Sequence, residues 1–301
     1  MKVINISRLW SKNIEKEFFT KTLKVAVPEQ LFYITEDGRY IAYWPKNYKG
    51  IKATLQSRNA FIGSFTEKWT KELLEETAEE LGAFTVQGVI CEDIGLSAKS
   101  PADVAICKTR DQHQKPENIL MIIEVKMSIV WNWEYNPSTG ELKSIGDYTT
   151  HQGNPGLLRS DTILKAIGKS INIRVSSFKS AQIPIVILGN TPITDSYYEK
   201  VDHLKKTGVI QGFYSTNPQP LDDPIHKNNI KSTPGRGFLR FDSYEEMKQE
   251  LINLISEEQE FFSGMKTKKE LGKIIEIANL EPTYEKKAEM FLKLLRDENE
   301  R

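Results

Sequence analysis

The chain has 301 residues, 39% of them hydrophobic and 27% charged, enough for one large or two ordinary soluble domains. Lys plus Arg balances Asp plus Glu at 41 each, which excludes a strong global field of either sign, so a nucleic-acid partner would need locally clustered basic residues. Two cysteines, Cys91 and Cys107, exclude a disulfide framework and point to a reducing cytoplasm. Neither a signal-peptide run nor a membrane-length apolar stretch is present, so no membrane partner is expected.

In chain order, residues 30–45 alternate apolar and polar around an Asp-Gly pair, which predicts a β-hairpin. Residues 65–81 predict a helix, with Phe65, Trp69, Leu73, Leu74, Ala78 and Leu81 at helical spacing and Gly82 as its stop. Three apolar strands follow at 84–91, 103–108 and 119–128, then a polar loop at 135–160. A helix is expected from Ser160 or Asp161 to about Arg174, a buried strand at 184–190, a helix at 196–207 and a strand at 209–216. A second polar loop spans 217–237. The C-terminal third reads as helical, opening on a Ser243–Glu246 capping box and continuing in two shorter helices. The order predicts an α/β protein: a mixed central sheet flanked by helices, with a helical C-terminal part. We divide it into an N-terminal segment with the hairpin (1–63), a core with inserted loops (64–242) and a helical C-terminal region (243–301).

The strand ILMIIEVKMSIV (119–130) places Glu124 and Lys126 two positions apart near its end, hence on one face. Asp103 opens the preceding strand, and residues 109–118 suit a hairpin connection. If the two strands are neighbours, Asp103 lies beside Glu124. Two adjoining carboxylates repel unless a cation sits between them. Mg²⁺ suits the place, taking oxygen ligands from Asp103, Glu124 and the Val125 carbonyl and leaving room for waters and phosphate oxygens. Lys126 would then orient an attacking water, stabilise developing negative charge or help remove a proton. That chemistry cleaves phosphodiester bonds.

Asp103 followed by Glu124-Val125-Lys126 resembles the PD-(D/E)xK nuclease superfamily, and the order helix, three strands, helix, strand over residues 64–190 resembles its core. The resemblance implies a restriction-endonuclease-like fold, Mg²⁺ held by Asp103 and Glu124, and catalytic assistance from Lys126. The usual Pro-Asp pair is here Pro101-Ala102-Asp103, with the proline one place early. The family often adds a helical Glu. Glu67, between Leu74 and Ala78 on the helical wheel, is the candidate. Ser64 to Glu67 also reads as a capping box, so both roles stand for Glu67 at this point.

Trp131, Trp133 and Tyr135 alternate after the strand, either to stack on bases or to form one apolar face. Glu92 and Asp93 read as a solvated turn, and the two cysteines as small core residues. The four histidines lack metal-ligand spacing. Two basic stretches are candidates for DNA contact. The first holds Lys143, His151, Arg159, Lys165 and Lys169; the helix beginning near Ser160 adds free N-terminal amides. The second holds Lys227, Asn228, Asn229, Lys231, Arg236 and Arg240, residue types that read base edges. The resemblance together with these loops implies a Mg²⁺-dependent, sequence-specific endonuclease acting on double-stranded DNA, like a type II restriction enzyme and expected to be a homodimer. The alternatives are a structure-specific repair or recombination nuclease and a DNA-binding module without catalysis.

Overall fold

The structure, a computed structural model, describes residues 8–50, 55–226, 229–256, 273, 276–283, 286–287, 289–290 and 294. Helix α1 (Lys12–Thr22) buries Phe18 and Phe19. The hairpin β1 (Tyr33–Ile34) and β2 (Tyr40–Ile41) turns through Gly38 at φ +76, a conformation that costs glycine nothing. Next come α2 (Gln56–Glu80), β3 (Phe84–Val89), β4 (Ala102–Cys107) and β5 (Ile119–Val125). Strands β6 (Asn132–Asn136) and β7 (Glu141–Gly146) form a second hairpin. The rest is α3 (Ser160–Ser176), β8 (Ile185–Gly189), α4 (Tyr198–Lys206), β9 (Gly212–Ser215), β10 (Phe238–Arg240) and α5 (Tyr244–Ser256).

The central sheet has six strands in the order β10-β9-β8-β5-β4-β3. Pairing is antiparallel through β3, β4 and β5, then parallel from β5 to β10. The fold is therefore α/β with a mixed sheet flanked by helices. Strand alternation decides which helices cover which face. Val104, Ile106 and Ile123 point into one core with Leu73 and Leu74 of α2 and Met247 of α5. Ala105, Ile122 and Ile185 point the other way, with Ile173 of α3. Ile187 and Phe213 continue that face against Ile163 of α3 and Val201 of α4.

Several expectations change. The predicted polar loop at 135–160 holds the end of β6 and all of β7. Together with β1 and β2 these make a four-stranded sheet, order β1-β2-β6-β7, joining the N-terminal hairpin to the insertion after β5. Trp131 and Trp133 are buried, so the apolar-face reading of the aromatic run holds for them and stacking on bases does not. Glu15 of α1 fastens this sheet to the core. Its fully buried carboxyl accepts from Val130 N (2.6 Å), Trp131 N (3.2 Å), Trp10 Nε1 (3.1 Å) and Trp133 Nε1 (2.9 Å). Burial pushes that carboxyl up to about 7, while the four donors pull it back.

Helix α2 starts at Gln56, nine residues before the predicted start. Residue 63 falls inside it, and Ser64–Glu67 is not its capping box. At α5 the predicted cap is real: Glu246 N donates to Ser243 Oγ at 3.1 Å. The two shorter helices expected beyond α5 fall largely outside the described residues. Among those residues no helix is long and apolar enough to cross a membrane.

Candidate active site

Strands β4 and β5 are neighbours. The pairing of Val104 with Ile123 carries Asp103 opposite Glu124, with their side chains on one face. Asp103 Oδ2 accepts from Val125 N at 2.8 Å, which fixes the carboxylate against the end of β5. Lys126 lies just past that end, yet its N still donates to Leu188 O of β8 at 2.7 Å. The extended conformation thus persists, and Lys126 projects on the same side as Glu124.

Three oxygens converge on the Lys126 ammonium: Asp103 Oδ2 at 3.0 Å, Glu124 Oε2 at 3.2 Å and Val125 O at 3.1 Å. These are the three oxygens that the sequence offers to a cation. The donor set is hard, and two carboxylates with one carbonyl suit Mg²⁺ completed by waters and phosphate oxygens. Among the described residues no group of three or more His, Cys, Asp or Glu side chains is arranged to hold a metal ion. Any ion here therefore rests on the two carboxylates and the Val125 carbonyl.

A second ammonium enters from α3. Lys169 Nζ stands 2.5 Å from Glu124 Oε1 and 3.5 Å from Asp103 Oδ1, and donates to Pro101 O at 2.5 Å. In the sequence Lys169 reads only as part of a basic stretch. Its signal was available: Lys169 falls three residues after Ala166 and four before Ile173, both on the buried side of α3. A lysine at that spacing is aimed toward the sheet. Glu67 is near enough for Asp103, Lys126 and Lys169 to act on its charge, but among the described residues it makes no hydrogen bond or ion pair to them. It is half-buried on α2 and accepts from Gln87 Nε2 of β3 at 3.0 Å. Because α2 is already helical at Ser64, the capping role for Glu67 lapses.

The electrostatics follow from burial and from these four charges. For Asp103, burial favours the neutral form, but Lys126 and Lys169 outweigh it and hold the carboxyl below its ordinary value. Glu124 is more deeply buried, at 0% exposure, and lies beside Asp103. Burial first, and that neighbouring charge second, push its carboxyl up. Burial opposes the Lys126 charge, yet Asp103 and Glu124 overcome it and raise its pKa. Burial, then Asp103, also raises Glu67. The site is a nearly balanced cluster in which Lys126 stays protonated and Asp103 stays ionised.

The structure does not bring the second basic stretch to this site. It runs to β10, at the far edge of the sheet from β4. Lys231 pairs with Asp242 (2.8 Å) and Glu246 (2.7 Å), Arg236 with Glu250 (3.0 Å), and Arg240 with Asp242 (3.1 Å) and Asn229. Lys227 and Asn228 lie outside the described residues. Arg159 and Lys165 are exposed at the start of α3, where Arg159 pairs with Asp161 at 2.8 Å. His151 is buried, and Cys91 and Cys107 are free and buried. Asp93 is exposed beside Lys179, as a solvated turn residue would be.

No family model, curated protein or solved structure matches the chain.

Proposed function

We propose that the chain is a Mg²⁺-dependent, sequence-specific endonuclease that hydrolyses phosphodiester bonds of double-stranded DNA, in the manner of a type II restriction enzyme. The supporting observation is the convergence of Asp103, Glu124 and the Val125 carbonyl on one point at adjacent strand ends, with Lys126 at that point and Glu67 close enough to sense its charges. Mg²⁺, when bound by those three oxygens, would neutralise phosphate charge and lower the pKa of water.

The protein's own groups divide the remaining work. Lys126 is held protonated, so it serves as a hydrogen-bond donor to developing negative charge rather than as a base. Asp103 is held ionised by two ammonium groups and remains a ligand. Glu67, whose pKa burial and Asp103 raise, would accept the proton of the attacking water. The water oxygen bonds to phosphorus, the P–O bond to the leaving sugar breaks, and a phosphate monoester and a hydroxyl result. Cutting both strands of a twofold site takes two such centres, so a homodimer belongs to this reading.

One observation favours a second reading. Lys231, Arg236 and Arg240 are engaged in ion pairs, which leaves fewer cations for reading bases than the sequence offers. A structure-specific repair or recombination nuclease needs fewer such readers. Incubating wild type and Lys126→Ala with phage or plasmid DNA and Mg²⁺ tests the proposal. Discrete fragments from wild type alone are expected. Cleavage of branched substrates without discrete plasmid fragments would favour the second reading. No cleavage of varied DNA with Mg²⁺ or Mn²⁺ would leave a binding module.

A further inference from the structure

A cleft of about 630 Å³ opens two residues beyond Lys126, between the N-terminal hairpin, the start of α2 and the loop preceding α3. Ser128, two residues past Lys126 in the chain, lines it. Two residues of chain span at most about 7 Å, so the cleft is within reach of a nucleotide adjoining one bound at Lys126. Its position relative to β5 is fixed on both sides. Asn190, at the end of β8, donates to Ser128 O at 2.7 Å and accepts from Ser128 N at 3.2 Å. Tyr43 Oη donates to Ile129 O at 2.7 Å.

The lining has three chemical characters. One wall is aromatic: Tyr33 stacks on Trp44 with centroids 4.7 Å apart, and Tyr43 stacks on His151 at 3.9 Å. The Arg58 guanidinium joins the two stacks, lying 5.2 Å from the Tyr33 ring and 4.9 Å from the Tyr43 ring. The second wall is amide-rich, with Asn59, Gln152 and Asn154, groups that both donate and accept as base edges require. The charge is one-sided. Arg58 and Arg159 line the cleft and among the described residues no carboxylate does, whereas the clefts beside Glu75, Asp222 and Glu134 each include an acid. Arg58 is 5% exposed, donates to the carbonyls of Leu31 and Ala42, and makes no ion pair among the described residues. Arg159 has its Asp161 partner outside the cleft.

Aromatic rings, guanidinium groups and amides, with no acid among the described lining residues, match one kind of occupant: a nucleotide whose base has left the stack. We infer that this cleft binds the unstacked nucleotide adjoining the scissile bond of the substrate strand. The inference rests on the nuclease reading above.

The test uses the full chain with Lys126→Ala, which should bind without cutting. Fragment ends from wild-type digestion locate the cut, and 2-aminopurine then replaces the base on either side of it in a duplex oligonucleotide. Its fluorescence is quenched in the stack, so it should rise several-fold on binding at one of the two positions. Adding Asn59→Ala and Asn154→Ala, both exposed positions, should abolish the rise and weaken binding by roughly tenfold. The thermal midpoint should not move, which separates this effect from misfolding. Cleavage by wild type with 2-aminopurine dark at both positions, or equal brightening with and without the two asparagines, would overturn the inference and leave the nuclease reading standing. If wild type cut no DNA, that reading would fall and the inference with it.

Discussion

Lys126 is surrounded by three oxygens within 3.2 Å, so its removal strips both carboxylates of a shared partner. On the nuclease reading, Lys126→Ala should slow cleavage by about 10²- to 10⁴-fold while DNA affinity changes far less. Single-turnover rates beside equilibrium binding separate the two, and equal loss of both would count against the role. Glu124 carries the pH dependence. Burial, then Asp103, holds its pKa above the ordinary carboxylate value of 4.5. A ligand must be deprotonated to bind a cation, so Mg²⁺ affinity should fall as the solution becomes acid, starting above the usual carboxylate range. Titrating Mg²⁺ against cleavage at several pH values should reveal that step, and Glu124→Gln should abolish cleavage. At this scale the sequence was legible for Asp103, Glu124 and Lys126, because spacing along a strand determines the face. The ion pairs of Lys169 were not legible, because they span 45 and 66 residues of sequence.

Gly156 packs closely against the β5 exit. It has φ +52, and a Cβ there would stand 3.0 Å from Thr191 Oγ1 and 3.2 Å from the Lys126 carbonyl. Gly156→Ala therefore adds crowding to strain and should lower stability by about 1–3 kcal/mol. Gly140→Ala is the control, with φ +72 and nothing within 4 Å, so it carries the strain alone. Denaturant midpoints should rank Gly156→Ala below Gly140→Ala, and only the former should also reduce cleavage. Equal losses would refute the cost assigned to crowding at Gly156. Among elements, the helices and central strands were legible where apolar periodicity ran on. The β6–β7 hairpin was not, since Gly, Asn and Thr in 135–160 resemble a loop until β2 supplies a pairing partner. The start of α2 was missed because Gln56–Ser64 is largely polar, and tertiary packing of Ile62 and Arg58 sustains the helix there.

Across the whole molecule, the two sheets share a seam in which His151 stacks on Tyr43 at 3% exposure. Burial pushes its imidazole down from 6.5 to about 4. The folded state therefore resists protonation that the unfolded chain accepts. The associated stability is present above pH 6.5 and is lost as pH falls through about 4, a total of about 3 kcal/mol. His151→Phe keeps a ring against Tyr43 and cannot titrate. The stability of wild type relative to that variant should decline from pH 7 to pH 4 in urea unfolding, and parallel curves would refute the assignment. The sequence by itself determined the order of the main helices and strands and the shared face of Glu124 and Lys126. Both follow from local periodicity. Only the tertiary structure decided that β4 pairs with β5, that Lys169 joins the site, that the basic stretch near β10 stays away, and that Trp131 and Trp133 are core. Those outcomes depend on which elements pack together, and contacts between residues distant in sequence carry no local periodic signal.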